Sequence, residues 1–167
     1  MAKPVLYILC GLPYSGKTTL TRELVKRFGF KVVSMDNVMG EKGYDPVTMT
    51  QEDWNEVYSE GYERLKEFLR ESSSIILDIG NLKKSERQTA RDIAQSLGVD
   101  YKLIYINTPL EEIKRRRSEN QQTKERGHLE DETMNSALKM WEEPATNENP
   151  ILYNQEMNLE EWIKENI

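Results

Sequence analysis

The sequence has almost none of the residues that build disulfide frameworks and metal clusters. Cys10 is the one cysteine among 167 residues, so an internal disulfide is excluded and a reducing, cytoplasmic setting is expected. His128 is the one histidine; no histidine cluster can form, and no Cys/His spacing suggests zinc. No apolar run approaches the roughly 20 residues that a bilayer-spanning helix needs. The apolar run Val5 to Cys10 is followed at once by Gly11-Leu12-Pro13, which is not a secretory cleavage site, and no targeting segment is expected. Positive charge is also in deficit, with 23 Lys and Arg against 29 Asp and Glu and a net charge of -6. That balance argues against a surface tracking long nucleic acid, which rests on many cationic contacts to phosphate. A short nucleic-acid end stays open as a ligand. The length fits a single domain over 1–167 with a core large enough to stand without staples.

Against these absences stands one dense motif. Gly11 to Thr18 read G-L-P-Y-S-G-K-T, a complete G-x-x-x-x-G-K-[ST] phosphate-binding loop. Val5 to Cys10 before it is a short buried-strand run, and Leu20, Leu24, Val25 and Phe28 after it fall at helical spacing. The loop is therefore a strand-to-helix turn whose amides point at phosphate oxygens, aided by the helix N-terminus. Gly11, Tyr14, Ser15, Gly16, Lys17, Thr18 and Thr19 form the expected nucleotide-binding set. Lys17 is expected at the β and γ phosphates of ATP, and the Thr18 hydroxyl on Mg²⁺.

Apolar β-type runs alternate with helical stretches along the whole chain, the pattern of a parallel sheet covered by helices on both faces. Strands are predicted at Val5–Cys10, Lys31–Ser34, Ser74–Asp78, Tyr101–Ile106 and, weakly, Ile151–Tyr153. Helices are predicted over 18–28, 51–70, 85–97, 109–117, 131–141 and 159–163, with a glycine-bearing loop through Gly40, Gly43 and Asp45-Pro46. In the long helix, Trp54, Val57, Tyr58, Tyr62, Leu65, Phe68 and Leu69 form one apolar stripe.

In such a sheet, ligands bind at the carboxyl ends of the strands. Asp78 ends the third strand and is a candidate for holding Mg²⁺ through water. Asp36, two residues beyond the second strand, is a candidate base for an acceptor hydroxyl, since phosphoryl transfer asks mainly for positioning and a carboxylate to take the proton. The basic run Lys114-Arg115-Arg116-Arg117, continued by Lys124 and Arg126, reads either as a solvated helix face matched by Glu111, Glu112, Glu119 and Glu125 or as a lid whose arginines close over the transferring phosphate.

Together, G-L-P-Y-S-G-K-T-T-L, Ser34-Met35-Asp36, Asp78 to Asn81, and Arg115-Arg116-Arg117 through Arg126-Gly127-His128-Leu129 to Trp141-Glu142-Glu143-Pro144 resemble the small AAA-type P-loop kinases. That superfamily includes polynucleotide 5′-hydroxyl kinases, zeta-toxin-like kinases and chloramphenicol phosphotransferase. The resemblance implies a three-layer α/β P-loop fold with a five-stranded parallel sheet in the order 2-3-1-4-5 and an Arg-rich lid over about 114–128. It implies catalytic roles for Lys17, Asp36, Arg117 and Arg126, and metal roles for Thr18 and Asp78. Asn37-Val38 stands where polynucleotide kinases carry an arginine, and the lid arginines are widely spaced. Both departures favour a small hydroxylated acceptor, with Tyr44, Trp54, Tyr58 and Tyr62 of the segment 37–62 forming its pocket wall. Alternatives are a polynucleotide 5′-hydroxyl kinase, a zeta-toxin-like sugar-nucleotide kinase, and a regulatory ATPase or nucleotide-binding module. Adenine is favoured over guanine, because Asn81-Leu82-Lys83-Lys84 does not make the N-K-x-D segment a guanine switch needs.

Overall fold

In the computed structural model, which describes residues 3–125 and 127–167, five parallel strands form one sheet in the order β2-β3-β1-β4-β5. They are β1 (Val5–Cys10), β2 (Lys31–Ser34), β3 (Ile75–Asp78), β4 (Asp100–Ile106) and β5 (Ile151–Tyr153). Around them lie α1 (Lys17–Phe28), α2 (Met35–Lys42), α3 (Gln51–Arg70), α4 (Lys84–Ser96), α5 (Leu110–Thr123), α6 (Asp131–Met140) and α7 (Leu159–Asn166).

The centre of the sheet is apolar on both faces because helices cover both. Along β1, Leu6, Ile8 and Cys10 face one layer with Leu65 and Leu69 of α3 and Ala90 and Ala94 of α4. Tyr7 and Leu9 face the other, with Leu20 and Leu24 of α1 and Trp162 and Ile163 of α7. Each fully buried aliphatic side chain contributes about 1.5–3 kcal/mol. Cys10 lies wholly within this core, and burial pushes its thiol up to about 12, so it packs as a small apolar residue. Among the described residues, no helix is long and apolar enough to cross a membrane.

The expected strand positions hold, but α2 and α5 depart from expectation, and α7 runs on past Ile163 to Asn166. The segment expected as a glycine-bearing loop after β2 begins with α2, because the Ser34 hydroxyl caps it by accepting the Asn37 N–H at 3.1 Å and Val38 and Met39 bury beneath it. Gly40 lies inside this helix, and only Gly43 ends it, at φ 69°. Helix α5 runs to Thr123 and not to Arg117. Ion pairs run along the helix, Glu112 with Arg115 and Arg116, and Arg115 with Glu119, the last of them reaching past Arg117.

Candidate phosphoryl-transfer site

The phosphate loop leaves β1 at Gly11 and turns into α1 through two left-handed residues, Tyr14 at φ 64° and Gly16 at φ 110°. Gly16 suits its place for a second reason. A Cβ there would lie 1.9 Å from Gln155 Nε2. Gly11 is likewise tight, since a Cβ would meet the Ser15 hydroxyl at 2.7 Å. Helix α1 carries no acid in its first turn, and Thr18 and Thr19 are exposed there, leaving its positive end for an anion. Lys17 Nζ donates to the carbonyls of Gly11 at 2.7 Å and Leu12 at 3.1 Å, so the ammonium lies across the loop it serves.

The loop is braced from outside by residues that the motif does not contain. The Ser15 carbonyl accepts hydrogen bonds from Thr108 Oγ1 at 2.6 Å, Arg116 Nη1 at 3.0 Å and Gln155 Nε2 at 3.2 Å. Arg116 also donates to the Tyr14 carbonyl and to Gln155 Oε1. Tyr14 is buried among Ile113 and Met134, with Leu12, Leu129 and Leu138 packed around them, and its hydroxyl accepts the Leu129 N–H. The side chain of Tyr14 thus faces the α5–α6 hairpin; the loop offers a ligand its backbone, Lys17 and the threonines.

The two candidate acids lie at neighbouring strand ends. Asp78 ends β3 in register with Ser34, the last residue of β2, and Asp36 follows two residues later, exposed in the first turn of α2. The loop after β3 is tied to β1 by buried Asn81, whose Nδ2 donates to the Leu9 carbonyl at 2.9 Å. Arg87 then holds the carbonyls of Asn81 and Leu82 at 3.0 and 3.1 Å while pairing with Glu148. Burial would raise the Glu148 carboxyl, yet hydrogen bonds from Arg87, the Ala145 N–H and Arg91 hold it down at about 2. Nothing in the motif pointed to Thr108, Gln155 or this ionic cluster; an arginine and a glutamate 61 positions apart leave no local pattern.

The four aromatic residues expected to line an acceptor pocket divide between two places. Tyr58 and Tyr62 line a cavity of about 270 Å³ with Ser85, Glu86 and Thr89. Tyr58 donates to Glu86 Oε1 at 3.0 Å, and its hydroxyl is close enough to Gly80 that a Cβ there would sit 2.5 Å away. Burial and the nearby Glu86 charge push the Tyr62 hydroxyl up to about 12. Tyr44 and Trp54 pack instead on Val38, Met39 and Val57.

The arginines of the basic run have three different neighbourhoods. Arg115 is engaged by Glu112 and Glu119 on an exposed face. Arg116 reaches the phosphate loop. Arg117 donates to the Leu129 carbonyl at 2.7 Å and pairs with Asp131 at 2.6 Å, linking the two arms of the hairpin. Arg126 lies outside the described residues.

The donor chemistry at the loop suits a hard cation. Thr18 and Asp78 offer oxygen only, the preference of Mg²⁺, which ordinarily takes one or two protein oxygens and completes its shell with water and phosphate. Among the described residues no group of three or more His, Cys, Asp or Glu is placed to hold a metal by itself.

Comparison with known proteins agrees with this architecture. The family model described as an AAA domain matches residues 6–144. The L-seryl-tRNA(Sec) kinase of Methanococcus maripaludis is 31% identical over 120 residues, covering 69% of this chain and 46% of that protein, so the chain spans under half of that curated relative. Among solved structures, Chaetomium thermophilum Kti12 in complex with ADP-AlF3 superposes with a TM-score of 0.74 at 18% identity, covering 95% of this chain and 94% of the other. A gluconokinase from Sinorhizobium meliloti 1021 superposes at 0.66 with 15% identity, covering 99% and 90%. At these identities the two structures speak for the fold. With the family match spanning most of the chain, from within β1 to Pro144 beyond α6, the protein belongs to the AAA domain family, within the superfamily of small P-loop kinases.

Proposed function

We propose that the protein is an ATP-dependent phosphotransferase that moves the γ-phosphate of Mg-ATP to a hydroxyl of a small-molecule acceptor. The observation that carries this reading is the placement of a phosphate loop and two carboxylates at the carboxyl ends of adjacent strands. Asp78 ends β3, the strand beside β1; Asp36 lies farther out, beyond β2. A binding module or switch needs the loop and an acid for its metal; the outer carboxylate is the part that an acceptor requires.

In this reading the backbone of Gly11 to Thr18 and the α1 N-terminus receive the phosphates, and Lys17 leaves the Gly11 and Leu12 carbonyls to neutralise them. Thr18 and Asp78 would hold Mg²⁺, which when bound neutralises phosphate charge. Asp36 orients the acceptor hydroxyl and takes its proton. Arg116 and Gln155 brace the loop from the side of β5, and the α5–α6 hairpin serves as the lid, hinged on Tyr14. Tyr58, Tyr62 and Glu86 form the acceptor-side wall, and a net charge of -6 suits a small acceptor better than long nucleic acid. The chain's resemblance to an L-seryl-tRNA(Sec) kinase supports a phosphotransferase reading.

The test is ATP consumption screened against sugars, polyols, nucleosides, aminoglycosides, chloramphenicol and RNA or DNA 5′ ends, with phosphorus NMR to identify the product. The reading expects a phosphate monoester from at least one small acceptor and no turnover in Lys17→Ala. Hydrolysis that no acceptor accelerates assigns the chain to the regulatory ATPases instead; transfer to 5′ ends alone assigns it to the polynucleotide kinases.

A further inference from the structure

A second cleft lies away from the phosphate loop. It has a volume of about 510 Å³, within the range of about 300–1,000 Å³ that small-molecule sites occupy, and none of the residues that line it belongs to the loop or to its two acids. Its walls are Lys84, Gln88 and Arg91 along α4, Tyr101 in β4, and Asn147 and Asn149 in the turn before β5. The sheet itself opens this space. β5 pairs only with Ile104 to Ile106, so Asp100 to Leu103 have β1 on one side and no strand on the other.

The charge in this cleft is unbalanced in one direction. Arg87, Arg91 and Glu148 form a buried cluster in which two guanidinium groups face one carboxylate, leaving one positive charge in excess. Arg87 spends Nε and Nη2 on Glu148 and Nη1 on the Asn81 and Leu82 carbonyls. The excess therefore falls to Arg91. It donates Nη1 to Glu148 and Nη2 to the neutral Gln88 oxygen, and its Nε, on a side chain only 5% exposed, is buried with no hydrogen-bond partner. A buried charged donor left unmade is costly, and an oxyanion is the group that satisfies it. Lys84, one and two turns before Gln88 and Arg91 on α4, adds a second cation at the cleft, and no carboxylate within 4 Å pairs with its ammonium among the described residues. Lys102 also lines the cleft, but its ammonium is turned away, donating to the Asn166 carbonyl at 2.5 Å.

We propose that this cleft is a second ligand site, distinct from the phosphate loop, that binds a small molecule through an oxyanion head group held by Arg91 Nε and Lys84. The amides of Asn147 and Asn149 offer polar contacts to its body, and Leu103 and Ile151 give it an apolar wall. A free inorganic phosphate and the head group of a carboxylate or phosphate metabolite share this chemistry.

The test follows the Arg91 Nε–H resonance in nitrogen-15 spectra of the full chain, assigned by its loss in Arg91→Lys, while inorganic phosphate or acetate is titrated. The expected result is a saturable shift of that resonance, unchanged in Lys17→Ala, where the loop no longer competes. Lys84→Gln, a change on an exposed side chain that leaves the buried cluster intact, should weaken the response about tenfold, the effect of one charge-assisted hydrogen bond. A response to phosphate alone identifies a phosphate head; a response to both anions identifies a general oxyanion site. Either result supports the site. Shifts confined to Gly11 to Thr18, or an Arg91 resonance that no anion moves, overturn it. Because Lys17→Ala disables the loop alone, loss of the kinase reading leaves this result readable.

Discussion

The hydroxyl of Tyr14, inside the phosphate loop, accepts the backbone N–H of Leu129, beyond α5, at 3.1 Å. A residue 115 positions away in sequence is thereby fixed to the loop. The basic hairpin does not merely overhang the site; it is seated on the loop through the ring and hydroxyl of Tyr14 and through Arg116, which donates to the Tyr14 and Ser15 carbonyls.

Tyr14→Phe removes this bond while keeping the ring among Ile113 and Met134. The expected cost is about 1 kcal/mol, the net worth of one such hydrogen bond. The Leu129 amide should exchange faster with deuterium than in the parent chain, with little change in the core strands. Equal protection at Leu129 in both proteins would show that the Tyr14 hydroxyl does not hold the hairpin, leaving that task to apolar packing and Arg116.

Gly16→Ala combines two penalties. Its φ of 110° is unfavourable for any residue with a Cβ, and the new methyl would meet Gln155 Nε2 at 1.9 Å. Gln155 is a flexible side chain and can move, but moving it breaks its bonds to Ser15 and Arg116. The loop should relax away from its phosphate-binding shape, with a loss of ATP affinity of at least about tenfold by calorimetry, each 1.4 kcal/mol of strain being a factor of ten. Pairing Gly16→Ala with Gln155→Ala should recover only the steric part. Full recovery would mean that the left-handed backbone is not required.

The Glu148 cluster governs stability in acid. Its carboxyl is held at about 2 in the folded chain against an ordinary 4.5, so the unfolded chain binds the proton first as pH falls. The stabilisation is therefore fully present above about pH 4.5 and drains away between there and about pH 2, on the order of 3 kcal/mol in all. Glu148→Gln should flatten that part of the acid-denaturation profile. At neutral pH it should cost about 3–5 kcal/mol, because two buried guanidinium groups lose their counter-charge. Denaturant titration at pH 7 and pH 3 measures both effects.

What the sequence disclosed follows from how locally each feature is encoded. The strand positions and the phosphate loop rest on contiguous patterns, namely an apolar run, a glycine-bearing turn and a helical stripe, whereas the strand order comes from the family resemblance those motifs carry. Helix α2 was hidden because its start depends on one hydroxyl, Ser34, and its buried face has only Val38 and Met39 over eight residues, with Gly40 between them and the true stop at Gly43. The second half of α5 was hidden because no apolar stripe marks it: Asn120 is its one buried residue, and Glu119 pairs back to Arg115. The braces of the loop were invisible for another reason. Thr108, Arg116 and Gln155 reach Ser15 from 93, 101 and 140 positions away, and only the pairing of β4 with β1 and of β5 with β4 brings them together. The basic run was legible as a group, but its arginines were not separable: neighbours along a helix point about 100° apart, so Arg115, Arg116 and Arg117 meet solvent, the loop and the second hairpin arm in turn.

Variants of Asp36 test whether the chain transfers phosphate or merely binds nucleotide. It follows β2, one strand farther from the phosphate loop than Asp78, and it is exposed in the first turn of α2. If its task is the acceptor hydroxyl, Asp36→Asn keeps the side-chain shape but removes the proton acceptor. Mg-ATP affinity should then stay within about twofold, while transfer to the acceptor falls by ~10²- to 10⁴-fold, the range that removal of a general base gives. Asp78→Asn should do the reverse and weaken the dependence of ATP binding on Mg²⁺. Measuring both variants by calorimetry and by phosphorus NMR separates the two roles. Full transfer by Asp36→Asn would leave that carboxylate as a helix-terminal residue without a catalytic task, and equal losses of affinity in both variants would place it at the nucleotide.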